Sequence, residues 1–239
     1  MIITTAAARG GRSHQEDTFI NVQMSQGTLL GVFDGHGGDE ASQWMSHYFE
    51  KNFNDQRDPE AGLRQAFAVA AAMLRGYGSG TTASVAFIPT DSQDVYTAVI
   101  GDSPIIIKTP TGVWHSPEHN VRTNLAEREA ARSRGGQYSG GYIFKSISGQ
   151  GLQMSRALGD AELYPVVSSD PEFKMVTAAG NGFVLIGTDG LFDPGHHNFK
   201  EAAKGVLGLL TLDASAQLLV DSAVALPTHD NVTAILVRF

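Results

Sequence analysis

Residues 29–40 read LLGVFDGHGGDE. Leu29 to Phe33 form a short apolar run, which fits a buried strand when turn residues bound it. The run ends in an acid, Asp34, followed by Gly35, His36, Gly37 and Gly38. Glycine tolerates positive φ and lets a backbone approach a neighbour or ligand closely. A carboxylate held at such a place needs a partner, because an unpaired buried charge is costly. On these twelve residues alone, the partner is a cation, a metal ion or a helix N-terminus.

Further strand-like runs lie on both sides of this stretch: IITTAAA from Ile2, TFINVQ from Thr18, TTASVAFI from Thr81, VYTAVI from Val95, PIIIKT from Pro104, FKMVTA from Phe173, GFVLIG from Gly182 and NVTAILVRF from Asn231. They carry β-branched and aromatic residues and are bounded by Gly, Asp, Asn and Pro. Helices are expected near 40–53 and from Asp58-Pro59 to about Arg75, where an N-cap acid precedes proline at the first helical position. Others are expected over about 123–133, 200–210 and 214–225. Strands cluster, a helix pair follows, and the pattern repeats. Without regular strand–helix alternation, a parallel doubly wound sheet fits poorly. Antiparallel sheets stacked face to face, with helix pairs outside, fit better. Residues 135–172 are glycine-rich and less periodic and read as a loop-like insertion beside the core.

The 239 residues suit one large domain, and 42% hydrophobic content supports a sizeable core. Seventeen basic against 25 acidic residues give a net charge of −8. That balance disfavours nucleic acid and anionic membranes as partners. There is no cysteine, which excludes disulfides, thiolate zinc sites and cysteine nucleophiles and fits a reducing compartment. No apolar stretch is long enough to span a bilayer, and the first residues lack the apolar core of a signal peptide. A cytoplasmic protein is the expectation.

Several other acids share the setting of Asp34. Asp189 follows FVLIGT, Asp102 follows VYTAVIG, Asp230 precedes the last strand, and Glu16-Asp17 precede TFI. Each alone is ordinary turn chemistry. Together, at strand ends, they could converge on one rim, where hard cations with oxygen coordination would offset their mutual repulsion. GYGSGT from Gly76 lacks the Lys-Ser/Thr of a nucleotide loop and precedes a strand, so it is not read as one. His196-His197 have no evident partner ligands and read as structural.

These pieces, in this order, resemble the metal-dependent protein serine/threonine phosphatases of the protein phosphatase 2C family. The resemblance rests on RSHQED from Arg12, VFDGHGG, GSGTTA from Gly78, GDS from Gly101, PEHN from Pro117 with EREAARSRGG, MSRALGD from Met154, GTDGLFD from Gly187 and HDN from His229. It covers nearly the whole chain. It implies an α+β fold, a four-layer α-β-β-α sandwich of two antiparallel sheets flanked by helix pairs, as one catalytic domain with a flap-like insertion at about 135–172.

The resemblance also implies a mechanism. Two Mn²⁺ or Mg²⁺ ions would be bridged by Asp34, with Asp189 and Asp230 on the first ion and the Gly35 carbonyl on the second. Glu16 and Asp17 would hold metal-bound waters. A hydroxide bridging the ions would attack phosphorus. Arg12 would clamp the phosphate, and His36 would protonate the serine or threonine oxygen as it leaves. The substrate would be a phosphorylated protein, opposing a serine/threonine kinase, and the enzyme a monomer. Three departures stand out. Glu118 occupies a position where the family usually has an aspartate that helps hold a third metal, so a weaker third site is expected there. Pro104 stands where arginine is common, and Pro194-Gly195-His196-His197 replaces a regular helix start. The alternatives are a catalytically weak regulatory or binding module on the same fold, and a hydrolase of small phosphoesters.

Overall fold

The structure, a computed structural model, describes residues 1–55, 58–192, 199–211, 213–226 and 228–239. In chain order the elements are β1 (Ile2–Ala8), β2 (Thr18–Gln23), β3 (Gly27–Phe33), the two-residue β4 (Gly35–His36), α1 (Glu40–Asn52), α2 (Pro59–Leu74), β5 (Gly80–Thr81), β6 (Ala83–Pro89), β7 (Asp94–Ile100), β8 (Ile105–Thr109), β9 (Gly112–His115) and α3 (Leu125–Ser133). There follow β10 (Gln137–Ser139), β11 (Tyr142–Phe144), β12 (Gly151–Leu152), β13 (Leu158–Gly159), β14 (Glu172–Thr177), β15 (Phe183–Gly187), α4 (Asp189–Phe192), α5 (Phe199–Gly208), α6 (Ala216–Val224) and β16 (Val232–Arg238). His196-His197 and the Pro194-Gly195 departure lie outside the described residues.

Two five-stranded sheets form the body, in the orders β1-β16-β15-β8-β9 and β14-β7-β6-β3-β2. All their pairings are antiparallel. The opening stretch shows why they stack. Leu29 and Phe33 pack with α1 and α2 residues such as Met45, Phe49 and Phe67, while Leu30 and Val32 point the other way, into a cluster with Ile105, Val184, Ile186 and Ile235 of the second sheet. Successive strand side chains alternate faces, so a strand buried on both must be apolar throughout. All of Gly27–Phe33 is buried. A third cluster joins Ile106, Leu185 and Leu236 to Leu191, Leu219 and Val220 of α4 and α6. The layers therefore run helix, sheet, sheet, helix.

The helices start as their sequences direct. The Asp58 carboxylate accepts from the Ala61 N–H ahead of Pro59, Asn124 caps α3, and Ser215 caps α6. The segment read as loop-like holds more order than expected. β10, β11 and β12 form a small antiparallel sheet. Ile143 joins Val121, Ala131, Ala157, Leu163, Val166 and Val167 in a separate apolar cluster. Strands of two or three residues are too short for a periodic signal. Among the described residues, no helix is long and apolar enough to cross a membrane.

Candidate metal centre

The antiparallel order decides where the acids meet. β3 and β7 both pair with β6, so they run in the same direction, and Asp34 and Asp102 follow their C-terminal ends. In the other sheet β15 pairs with β16 antiparallel, with Gly187 opposite Ala234. Asp189, just beyond β15, and Asp230, just before β16, therefore share one edge. A cavity of about 280 Å³ opens between these edges. Its lining includes Arg12, Asp34, Gly35, His36, Asp102, Asp189 and Asp230, with Tyr142 and residues 151–154 along the rim.

The turns that carry Asp34 and Asp102 are fixed. The Asp34 N–H donates to Thr82 Oγ1 at 3.1 Å, and its carbonyl accepts from Thr82 N at 2.9 Å and from Thr81 Oγ1 at 3.1 Å. Thr82 Oγ1 also lies 2.8 Å from Ser103 Oγ, tying the Asp34 turn to the Gly-Asp-Ser turn. Gly101 has φ +98° and packs against Thr82, a place where a side chain would be strained. His119 Nδ1 accepts from the Gly101 N–H at 3.0 Å, and Asn120 Nδ2 donates to Asp102 Oδ2 at 2.8 Å. Asn231 acts as a clip: its side-chain amide donates to the carbonyls of Arg9 and His14 and accepts from the Glu16 N–H, fixing the segment that carries Arg12. Gly35 lacks a Cβ for a packing reason, since one would collide with the Glu16 carbonyl and lie 2.8 Å from Ser42 Oγ.

Electrostatics set this cavity apart. Burial, and then the charges of Asp17, Asp189, Asp230 and Asp102, push the Asp34 carboxyl well above the usual range. Asp189 is pushed up in the same way, by burial first and then by Asp102, Asp230 and Asp17. Behind them Asp17 is raised to about 7, mainly by burial, although Thr233 and Thr188 donate to its carboxylate at 2.7 and 3.1 Å. Such carboxylates are poorly compensated by the protein. Their donor set is all oxygen and hard, the set that Mg²⁺ and Mn²⁺ take. The residues therefore fit divalent cations.

The other expected site residues are distributed as follows. His36 lines the cavity. Arg12 reaches it with its guanidinium already engaged, Nη2 to Asp230 Oδ2 at 2.8 Å and Nε to the His229 carbonyl at 2.7 Å. Glu16 and Asp17 stand behind the wall; Glu16 Oε1 accepts from the Gly38 N–H at 2.9 Å. Glu118 is not among the lining residues, whereas Asp102 is. The Glu118 carbonyl accepts from Asn124 Nδ2 at 2.9 Å, at the start of α3. Asp102 was visible in the sequence as a strand-end acid; Asn231 and Thr82 carried no signal beyond their neighbours.

The family model described as Protein phosphatase 2C matches residues 4–232. The chain is 27% identical over 257 residues to Probable protein phosphatase 2C 11 of Arabidopsis thaliana, an alignment that takes in 98% of this chain and 65% of that protein. It is 28% identical over 290 residues to Probable protein phosphatase 2C 3 of Paramecium tetraurelia, covering 99% of this chain and 92% of that one. A solved phosphatase from a pathogenic strain of Toxoplasma gondii superimposes with a TM-score of 0.80 at 18% identity, covering 99% of this chain and 92% of the other. The chain thus spans just under two thirds of the Arabidopsis relative and nearly all of the others.

Proposed function

Since the chain belongs to the protein phosphatase 2C family, we propose that it hydrolyses phosphoserine and phosphothreonine in phosphoproteins with Mn²⁺ or Mg²⁺ held in the acidic cavity. The observation that carries this reading is the convergence of Asp34, Asp102, Asp189 and Asp230 on one cavity beside His36 and Arg12. Asp34, Asp189, Asp230 and the Gly35 carbonyl would hold two ions. Asp102 takes the part first expected of Glu118, support of a weaker third ion, because it lines the cavity and bears on Asp189. Bound cations would supply Lewis acidity and an activated water.

The chain's own residues do the rest. Arg12 carries five N–H donors and spends two of them on Asp230 and His229. The remainder suit the oxygens of a phosphate, and Asp230 holds the guanidinium in place. Cleavage breaks the ester P–O bond and leaves the electron pair on the serine or threonine oxygen. An alkoxide departs poorly, and a proton from His36 neutralises it. Asp17 and Glu16 brace the wall behind Asp34 and Gly35. A cytoplasmic monomer that opposes a serine/threonine kinase belongs to the same proposal; the absence of cysteine, which fits a reducing compartment, supports the location.

The test is hydrolysis of a phosphoserine peptide after chelation and after restoring Mn²⁺. Turnover that disappears with chelator and returns with Mn²⁺ is expected. Turnover that persists in chelator would overturn the metal role, and none with Mn²⁺ or Mg²⁺ would favour a binding module.

A further inference from the structure

His36 sits in a miniature sheet in the order β13-β5-β4. Gly80 of β5 lies opposite His36 on one side and Gly159 of β13 on the other. This arrangement delivers Asp160, the residue after β13, to the imidazole: Asp160 Oδ2 lies 2.9 Å from His36 Nε2. The carboxylate is 8% exposed and the ring 23%. A Cβ at Gly80 would collide with both Asp160 Oδ2 and His36 Nε2, so glycine keeps the gap open for this pair. Asp160 has φ +50°, a region that non-glycine residues seldom occupy. Its N–H donates to the Ser79 carbonyl at 3.2 Å, and its carbonyl accepts from Leu163 N at 2.8 Å. The other ring nitrogen, His36 Nδ1, is buried with no hydrogen-bond partner.

We infer that Asp160 is the positioning residue for His36. The inference rests on the reading of His36 as the group that protonates the leaving oxygen. A carboxylate accepts only, so Nε2 carries the hydrogen of this bond, and the bond fixes both the tautomer and the ring plane. A buried polar atom without a partner is costly and calls for an explanation. Shielded and unpartnered, Nδ1 makes no competing hydrogen bond, so the bond to Asp160 alone sets the orientation of the ring among the described residues. As the ester P–O bond breaks and its electron pair settles on the leaving oxygen, a proton of the His36 imidazolium passes to that oxygen and the ring is left neutral. The N–H electron pair stays on the ring, which Asp160 holds in place through Nε2. The segment that supplies Asp160 is MSRALGD, whose match to the family pattern carried no chemical role of its own.

Asp160→Gly removes the carboxylate at no conformational penalty, since glycine accepts φ +50°. Asp160→Asn keeps an acceptor and also tolerates this backbone. Turnover of a phosphoserine peptide is compared with that of p-nitrophenyl phosphate, whose leaving group departs without a proton. Asp160→Gly should lower peptide kcat more than aryl kcat by about tenfold or more, part of the 10²–10⁴ that general acid catalysis supplies. Asp160→Asn should restore part of the difference. In a His36→Ala background, Asp160→Gly should add no further selective loss. Equal losses on both substrates, or losses that add to those of His36→Ala, would overturn the inference. Should His36→Ala itself lose both activities equally, the general-acid reading fails, and Asp160 is judged by a second measurement. Imidazole nitrogen shifts in the metal-free protein, followed to the high-pH plateau of a titration, report the tautomer. Wild type should hold hydrogen on Nε2 and Asp160→Gly should lose that preference; an unchanged tautomer means that Asp160 does not position the ring.

Discussion

The described residues contain two clusters rich in acids that behave oppositely. One is the cavity rim around Asp34 and Asp189. The other joins His119, Glu127 and Glu172, whose ligand-type atoms all lie within 4.8 Å of one another, close enough to hold an ion. The second cluster carries its own cation. Arg156 donates to Glu127 Oε1 at 2.6 Å through Nη2 and to Oε2 at 3.1 Å through Nε, and it reaches Glu172 Oε1 at 3.1 Å. Burial opposes the charged form of Glu127, but the bonds from Arg156 and Ser155 outweigh it and its carboxyl sits below the usual range. On the rim, Arg12 is the one permanent cation among the lining residues; its side chain is 46% exposed, and its one salt bridge among the described residues is to Asp230. Asp34 and Asp189 are left well above the usual range. The number of acids therefore does not mark a metal site. What marks it is charge that the protein leaves uncompensated.

The largest effect should come from removing rim acids. Asp34→Ala or Asp189→Ala should lower Mn²⁺-supported phosphopeptide hydrolysis by about 10³-fold or more, since metal stabilisation of the transition state is worth several kcal/mol. In chelator both variants should melt at or above the temperature of wild type, because each removes a repelled carboxylate. Variants that keep wild-type turnover, or whose metal-free forms melt far lower, would erase the contrast between the clusters.

The pH dependence comes next in size, and its sign differs between the clusters. Asp17 rises from 3.8 to about 7 on folding. Between those values the folded state binds more protons than the unfolded one, so metal-free stability should fall as pH rises from about 4 to about 7. The shift corresponds to a loss on the order of 4 kcal/mol. Bound Mn²⁺ should oppose that slope, because it favours the ionised rim in the folded state. Glu127 contributes stability above its unfolded value of 4.5, and that contribution is lost as pH falls through its lower folded value. Urea unfolding in chelator across this range should show Asp17→Asn flattening the neutral limb and Glu127→Gln the acid limb; an unaltered curve in either case would misassign that limb.

The compensated cluster should be worth somewhat less. Arg156→Met strands Glu127, whose side chain is 9% exposed, and should cost about 3 kcal/mol, the low end for a broken buried pair. With the rim disabled by Asp34→Ala, calorimetric titration with Mn²⁺ should detect no binding at His119, Glu127 and Glu172. Residual binding that Glu127→Gln abolishes would show this cluster to be a second metal site after all.

Much of this was legible in the sequence because it lies in long elements. LLGVF, VYTAVI and FVLIG are apolar at nearly every position since they are covered on two faces, and the acids at their ends follow from strand direction. Family resemblance supplied roles for Asp34, Asp189 and Asp230 that strand patterns cannot supply. Three features escaped. The strands of the small sheets, such as β4, β5 and β13, are two residues long and have no period to read. The pairs His36–Asp160 and Glu127–Arg156 join residues 124 and 29 positions apart, and no local spacing encodes them. Asp102 reads in the sequence as a strand-end acid without a role, because the family resemblance points to Glu118 for the third metal.

The smallest predicted effect separates those two acids. Asp102 lines the cavity and raises both Asp34 and Asp189 through its charge. Its side chain is braced by Asn120, and its backbone by His119 through Gly101. Glu118 lies outside the cavity lining, on the segment leading into α3, six residues before the N-cap Asn124. Asp102→Asn keeps the size and the contact to Asn120 while removing one rim charge. It should raise the Mn²⁺ concentration for half-maximal activity about tenfold, equivalent to 1.4 kcal/mol. Glu118→Ala should change that concentration by less than about twofold, as for a surface charge, and Glu118→Asp should do no more. Metal titrations of phosphopeptide turnover decide between them. If Glu118→Ala shifts the curve and Asp102→Asn does not, the weaker ion is held at the start of α3, and the rim around Asp34 ends one carboxylate earlier than its geometry suggests.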